Sequence, residues 1–159
     1  MAKLKAGSKA PAFTLKDSDE NKVSLKDFSG KWAVLYFYPK DDTPGCTIEA
    51  KDFSKQLPGF EGLGASVIGI SADDCGSHKK FQKKHKLKIT LLSDDKKTIL
   101  KKYGVWGKKN FMGREYMGIL RTTFLIDPKG KISRIWESVN PEGHAGEVKK
   151  ILTEMSKEG

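Results

Sequence analysis

The chain is 159 residues long, with 30 lysines and arginines against 20 aspartates and glutamates, a formal charge of +10. Hydrophobic residues make up 37%, enough at this length to build one packed core, which excludes a disordered chain. No apolar run approaches the roughly 18 residues of a membrane span, Met1-Ala2-Lys3-Leu4-Lys5 lacks the apolar stretch of an export signal, and two cysteines are too few for a disulfide scaffold.

Ala12-Phe13-Thr14-Leu15 and Val23-Ser24-Leu25 alternate apolar and polar side chains around the turn-forming Asp17-Ser18-Asp19-Glu20-Asn21, which predicts an N-terminal β-hairpin. Residues 32–38, Trp-Ala-Val-Leu-Tyr-Phe-Tyr, form a continuous apolar run of strand length, the pattern of a strand buried on both faces. Pro39 stops it, and a loop over 40–45 leads into a helix from Cys46. Along that helix Ile48, Ala50, Phe53 and Leu57 recur at helical spacing until Pro58-Gly59, where it is expected to end. Residues 65–70 read as a second buried strand, the lysine-rich segment after it as a helix, and residues 96–103 as another. The aromatic stretch Trp106-Gly107 and Phe111 to Tyr116 reads as loop material that covers the core or docks a partner. Thr122-Thr123-Phe124-Leu125-Ile126 and Ile132-Ser133-Arg134-Ile135-Trp136 flank Asp127-Pro128-Lys129-Gly130, a hairpin turn. Val148, Ile151, Leu152 and Met155 close the chain as an amphipathic helix. The alternation is that of a layered α/β sheet, and with no repeat or linker a single domain is expected over 1–159. No G-x-G-x-x-G or Walker pattern is present, and no cofactor is expected.

The charge is unevenly spread. Residues 79–102 hold ten lysines against Asp94 and Asp95, a net of +8, while 1–78 carry −1 and 103–159 carry +3. Lysine lacks the bidentate fork that reads base edges, and no zinc-finger or helix-turn-helix pattern accompanies the cluster, so specific nucleic-acid binding is not expected. The cluster reads as a solvated helix face. The non-enzymatic alternative is a polyanion-binding or chaperone-like protein acting through these lysines.

The informative segment is Tyr38-Pro39-Lys40-Asp41-Asp42-Thr43-Pro44-Gly45-Cys46-Thr47. A core strand ends, a short loop follows, and a cysteine opens a helix. Unpaired N–H groups and the positive dipole end at a helix N-terminus stabilise a thiolate, the nucleophilic form, and a cytoplasm keeps it reduced. Thr43 stands three residues upstream, where its hydroxyl reaches the sulfur's surroundings. Only Arg114, Arg121 and Arg134 are arginines, and Arg121 directly precedes a buried strand, where a charge must be paired or working. The competing reading of Cys46 is a small core hydrophobe, for which Gly45 and the loop are poor company. Cys75, His78 and His85, with Asp73 or Asp74, are metal-ligand residue types, but Cys-x-x-His without a second pair is not a zinc pattern and no metal is expected. His78 and His85 read as solvated members of a polar helix and His144 as a loop residue. No Cys-x-x-Cys is present, which argues against a dithiol reductase.

Phe37-Tyr38-Pro39-Lys40 and Thr43-Pro44-Gly45-Cys46-Thr47 resemble the P-x-x-x-T-x-x-C motif of peroxiredoxins, and T-P-G-C-T is similar to the bacterioferritin comigratory protein (PrxQ) subfamily. Gly69-Ile70-Ser71-Ala72-Asp73, Ser77-His78, Leu91-Leu92-Ser93-Asp94, Tyr103-Gly104-Val105-Trp106-Gly107 and residues 121–127 extend the likeness over most of the chain. The resemblance implies a thioredoxin-like fold, with a central mixed β-sheet flanked by helices, and a thiol-dependent peroxidase acting on hydrogen peroxide and organic hydroperoxides. It implies that Cys46 attacks the peroxide and becomes a sulfenic acid, that Thr43 orients the peroxide, that Pro39 shields the sulfenic acid, and that Arg121 stabilises the thiolate, with Glu49 as that arginine's partner. Many relatives carry a resolving cysteine five residues after the peroxidatic one, where this chain has Lys51. Resolution then falls to Cys75 or to an external thiol, with thioredoxin or a glutaredoxin-type protein as reductant. With no cysteine after Cys75, the obligate intersubunit mechanism of larger relatives is not expected, and a monomer is.

Overall fold

The computed structural model describes residues 4–158; Met1, Ala2 and Lys3, read above for an export signal, and Gly159 lie outside them. In chain order the elements are β1 (Thr14–Asp17), β2 (Lys22–Ser24), a 3-10 turn (Leu25–Phe28), β3 (Trp32–Phe37), α1 (Pro44–Gly62), β4 (Ala65–Ser71), α2 (Cys75–His85) and β5 (Thr90–Ser93). They continue with α3 (Thr98–Lys102), β6 (Trp106–Phe111), β7 (Arg114–Ile119), β8 (Thr122–Ile126), β9 (Ile132–Trp136) and α4 (His144–Glu158). Seven strands form one mixed sheet in the order β2-β1-β5-β4-β3-β8-β9, with β3, β4 and β5 mutually parallel. β6 and β7 pair only with each other. None of the described helices is long and apolar enough to cross a membrane.

Burial on both faces explains why β3 reads as an unbroken apolar run. Val34, Tyr36 and Tyr38 pack with Phe53, Phe60, Phe81, Val148 and Leu152 beneath α1, α2 and α4. The alternate residues Ala33, Leu35 and Phe37 pack with Ile99, Leu100, Tyr103 and Phe124 on the α3 side.

Four expectations are corrected. Helix α1 runs through Pro58 to Gly62 instead of ending at Pro58-Gly59. A proline inside a helix removes one hydrogen bond and costs about 3 kcal/mol, but continuing the helix buries Phe60 completely against Phe53, ring centroids 5.9 Å apart. The lysine-rich segment is interrupted by β5, whose Leu91 and Leu92 are fully buried; four residues are too few for a periodicity to show. Residues 106–119 form the β6–β7 hairpin rather than a loop. Its tip carries Met112 and Gly113 at φ 52° and 80°, the left-handed pair a two-residue hairpin turn requires, and Phe111, Met112 and Tyr116 stand exposed instead of covering the core. The helix expected over 96–103 is shorter, Thr98–Lys102.

Candidate active site

Where β3 ends, the chain turns through Asp42, at φ 59°, into an extended Thr43 that caps α1. Pro44 occupies the first helical position, where its missing N–H breaks no bond, and the Thr47 N–H donates to the Thr43 carbonyl at 2.8 Å to start the helix. Cys46 therefore sits in the first turn, 1% exposed. Arg121 reaches it from the neighbouring strand. The antiparallel register opposes Phe37 to Thr122, so residue 121 lies one step beyond the end of β3, beside the loop.

One guanidinium nitrogen, Arg121 Nη2, donates to Cys46 Sγ at 3.4 Å, and the other, Nη1, donates to Glu49 Oε1 at 2.7 Å. Glu49 follows Cys46 by three residues on the same helical face, which lets one arginine grip both. Gly45 leaves the passage open: a Cβ there would stand 3.2 Å from Arg121 Nη2 and 3.4 Å from Pro141 Cγ. Burial pushes the Glu49 carboxyl up to about 7, against the opposing pull of Arg121. Burial works against the Arg121 cation, yet Cys46 and Glu49 together hold its pKa above the ordinary arginine value. Beneath the site the Tyr36 ring stacks on Phe53 at 4.7 Å, and burial, then Glu49 and Cys46, keep its phenol neutral.

The Thr43 hydroxyl donates to the Lys40 carbonyl at 2.8 Å, so its proton is committed and its lone pairs remain to accept one from a peroxide. Pro39 is half-buried where the loop leaves β3. Lys51, five residues beyond Cys46, is exposed on α1. Cys75 opens α2 and lines a surface depression with Lys16, Lys22 and Ser93, toward the β1–β5 flank of the sheet, whereas Cys46 lies by β3 and β8. Both cysteines are free thiols, and burial, then the nearby Glu20 carboxylate, raises the pKa of Cys75.

The expectations for His78 and His144 are overturned, while His85 lies partly exposed on α2. His78 is fully buried: its Nδ1 lies 2.7 Å from Asp41 Oδ2 and its Nε2 lies 2.9 Å from the Leu92 carbonyl. Phe81, one turn further along α2, enters the core on the same face, and that spacing was the available sequence signal. His85 pairs with Asp42 at 2.8 Å. His144 is the first residue of α4, 4% exposed, with Nε2 2.8 Å from Thr123 Oγ1, and burial pushes its pKa down to about 4. Among the described residues the one cluster with ligand atoms close enough for a metal is Asp41, Asp73 and His78. There the 2.7 Å Nδ1–Oδ2 contact leaves no space between the two ligands, and Asp73 Oδ2 already accepts from Ser71 Oγ and the Asp41 N–H. Neither Cys75 nor His85 belongs to this cluster.

Known proteins are similar to this chain in sequence and in fold. A profile of the AhpC/TSA family matches residues 6–135. The chain is 44% identical to Peroxiredoxin Bcp of Bacillus subtilis over 153 residues, covering 96% of this chain and 98% of that protein. It is 42% identical to Peroxiredoxin Bcp of Escherichia coli K12 over 154 residues, covering 97% and 99%. The solved Xanthomonas campestris bacterioferritin comigratory protein, described in terms of its alkyl peroxide reduction activity, superposes with a TM-score of 0.89 at 36% identity, covering 96% of this chain and 99% of that one. PrxQ of Xylella fastidiosa superposes at 0.92 with 34% identity, covering 98% and 99%. The fold is thus the thioredoxin-like one, and the chain belongs to the AhpC/TSA family as a peroxiredoxin of the Bcp type, a thiol peroxidase.

Proposed function

We propose that Cys46 is the peroxidatic nucleophile and that Arg121 is the group that activates it. The single observation carrying this reading is the arginine fork that donates to Cys46 Sγ and Glu49 at once. The thiolate attacks one oxygen of the hydroperoxide, the O–O bond breaks, Cys46 becomes a sulfenic acid, and the departing alkoxide or hydroxide takes a proton to leave as alcohol or water. Arg121 spreads its donors over the sulfur and the transferring oxygens as charge develops. Thr43 accepts a hydrogen bond from the peroxide, and Pro39 walls the sulfenic acid from water.

A thiol then condenses with the sulfenic acid, forming a disulfide and releasing water. An external thiol, from a thioredoxin or glutaredoxin-type dithiol, is the better-supported resolver: Lys51 replaces the resolving position on α1, and Cys75 is a raised-pKa thiol toward the other flank of the sheet. The chain is read as a cytoplasmic monomer. One equivalent of hydrogen peroxide on the reduced protein, followed by non-reducing peptide mass spectrometry, separates the readings. The expected outcome is a Cys46 sulfenic acid that persists until thiol is added, in wild type and in Cys75→Ser alike. A Cys46–Cys75 crosslink would assign the resolution to Cys75 instead, and peroxide turnover surviving in Cys46→Ser would refute the whole reading.

A further inference from the structure

Cys46 is 1% exposed, yet after oxidation it must meet a second sulfur, so the turn that carries it has to open. Besides the contacts of Thr43 and Arg121, the turn is held by groups that take no part in the reaction. Asp41 and Asp42 precede Thr43, and both reach across to α2. Asp41 is the more deeply built of the two. Its N–H donates to Asp73 Oδ2 at 2.8 Å, Tyr38 donates its phenol to Oδ1 at 2.6 Å, and Ser77 donates its hydroxyl to Oδ2 at 2.8 Å. His78 Nδ1 stands 2.7 Å from the same Oδ2. The other ring nitrogen of His78, Nε2, faces the Leu92 carbonyl at 2.9 Å, so the ring is held on both sides. Asp42 forms a second, exposed limb, with Lys84 at 2.7 Å and His85 at 2.8 Å. Four α2 side chains thus grip two adjacent loop carboxylates that the peroxide chemistry does not use.

We propose that Asp41 and His78 are positioning residues for the peroxidase: their buried pair clamps residues 40–46 to α2, setting Cys46 beneath Arg121 for attack and holding it closed against the thiol that must follow. The clamp acts in opposite senses on two steps. It favours the first oxidation, in which Cys46 reduces a hydroperoxide to an alcohol and becomes a sulfenic acid. It delays condensation of that sulfenic acid with a thiol, which releases water. The delay leaves time for a second hydrogen peroxide to oxidise the sulfenic acid to a sulfinic acid, with loss of one water.

The test compares His78→Gln and Asp41→Asn with wild type by hydrogen exchange of residues 40–50 and by rapid-quench mass spectrometry of Cys46, with hydrogen peroxide as oxidant and dithiothreitol as thiol. The expected result is faster exchange confined to residues 40–50 and the start of α2, about tenfold. The first oxidation slows by about tenfold or more, as a displaced nucleophile does, and less sulfinic acid forms per turnover at a given peroxide concentration. A purely structural role would lower the melting temperature without changing that partition. Asp42→Asn, on the exposed limb, covers the case in which the buried variants fail to fold, and shifts exchange and partition in the same direction by a smaller factor. Unchanged exchange over 40–50, or an unchanged ratio of sulfinic to reduced product in the folded variants, overturns the proposal. The inference rests on Cys46 as nucleophile, but the exchange measurement reads the clamp without any chemistry, so the two can fail separately.

Discussion

Glu49 is the residue on which the site's pH behaviour turns. It is 1% exposed, its Oε2 has no hydrogen-bond partner among the described residues, and burial raises its carboxyl from 4.5 to about 7 against the pull of Arg121. Below about 7 it is neutral and leaves the guanidinium charge to Cys46 and the peroxide; above that it is a second anion competing for the same fork. Glu49→Gln reproduces the neutral form at every pH. The ratio of its first-oxidation rate to wild type is expected to rise by at least about threefold between roughly pH 6 and pH 8, read by stopped flow. A flat ratio would show that this titration plays no part. Stability gives an independent readout. The folded chain binds the Glu49 proton more tightly than the unfolded one, so the folded state holds the extra proton between pH 4.5 and about 7, and stability falls as pH rises through that window. Thermal melts should show the advantage of Glu49→Gln growing across the same interval and levelling above it.

At the scale of elements, α1 carries a tension between its proline and its core face. Pro58 is exposed and leaves the Ser54 carbonyl without its helical donor, while Phe60 two residues later is fully buried. Pro58→Ala restores that donor and loses some restriction of the unfolded chain, worth up to about 1 kcal/mol. A net gain of about 1–2 kcal/mol is expected, a rise in melting temperature of roughly 2–8 °C for a chain of this size; a fall would mean that Pro58 itself holds the end of the helix in place. The same helix shows what a sequence does and does not disclose. Its start was legible because loop, Pro44 and Cys46 are contiguous, and its end was not, because burial of Phe60 is a tertiary gain that no local signal carries. Strand β3 was legible from its two buried faces. The β6–β7 hairpin was not, since Lys108, Lys109 and the Met112-Gly113 turn blur both alternation and turn signal. Arg121 could be found beside its strand, whereas Glu49 came only from the resemblance. The Asp41–His78 pair, 37 residues apart in sequence, appears only when α2 is laid against the loop.

At the scale of the whole molecule, the sheet divides the charge that the sequence concentrates. The ten lysines of 79–102 look contiguous in the chain, but buried β5 separates α2 from α3. The core residue of α2, Phe81, packs in the cluster under α1 and α4, whereas Ile99 and Leu100 of α3 pack in the opposite one. Lys79, Lys80, Lys83 and Lys84 therefore sit on a helix on one side of the sheet and Lys101 and Lys102 on a helix on the other, so the ten do not share one helix face. Part of the charge is already engaged: Lys84 pairs with Asp42 at 2.7 Å and Lys79 with Asp19 at 3.4 Å, exposed contacts that hold local geometry and add little stability. Because each phosphate contact contributes about −0.9 to the slope of log affinity against log salt, binding through a few lysines at a time is weak and steeply salt-dependent. Fluorescence anisotropy with labelled duplex DNA across a salt series is expected to show a complex only well below about 0.15 M salt, and saturating DNA should leave the rate with uncharged hydrogen peroxide unchanged. Binding that survives physiological salt, or a peroxidase rate that responds to DNA, would mean that the two lysine faces act together and that α2 couples them to the loop it grips.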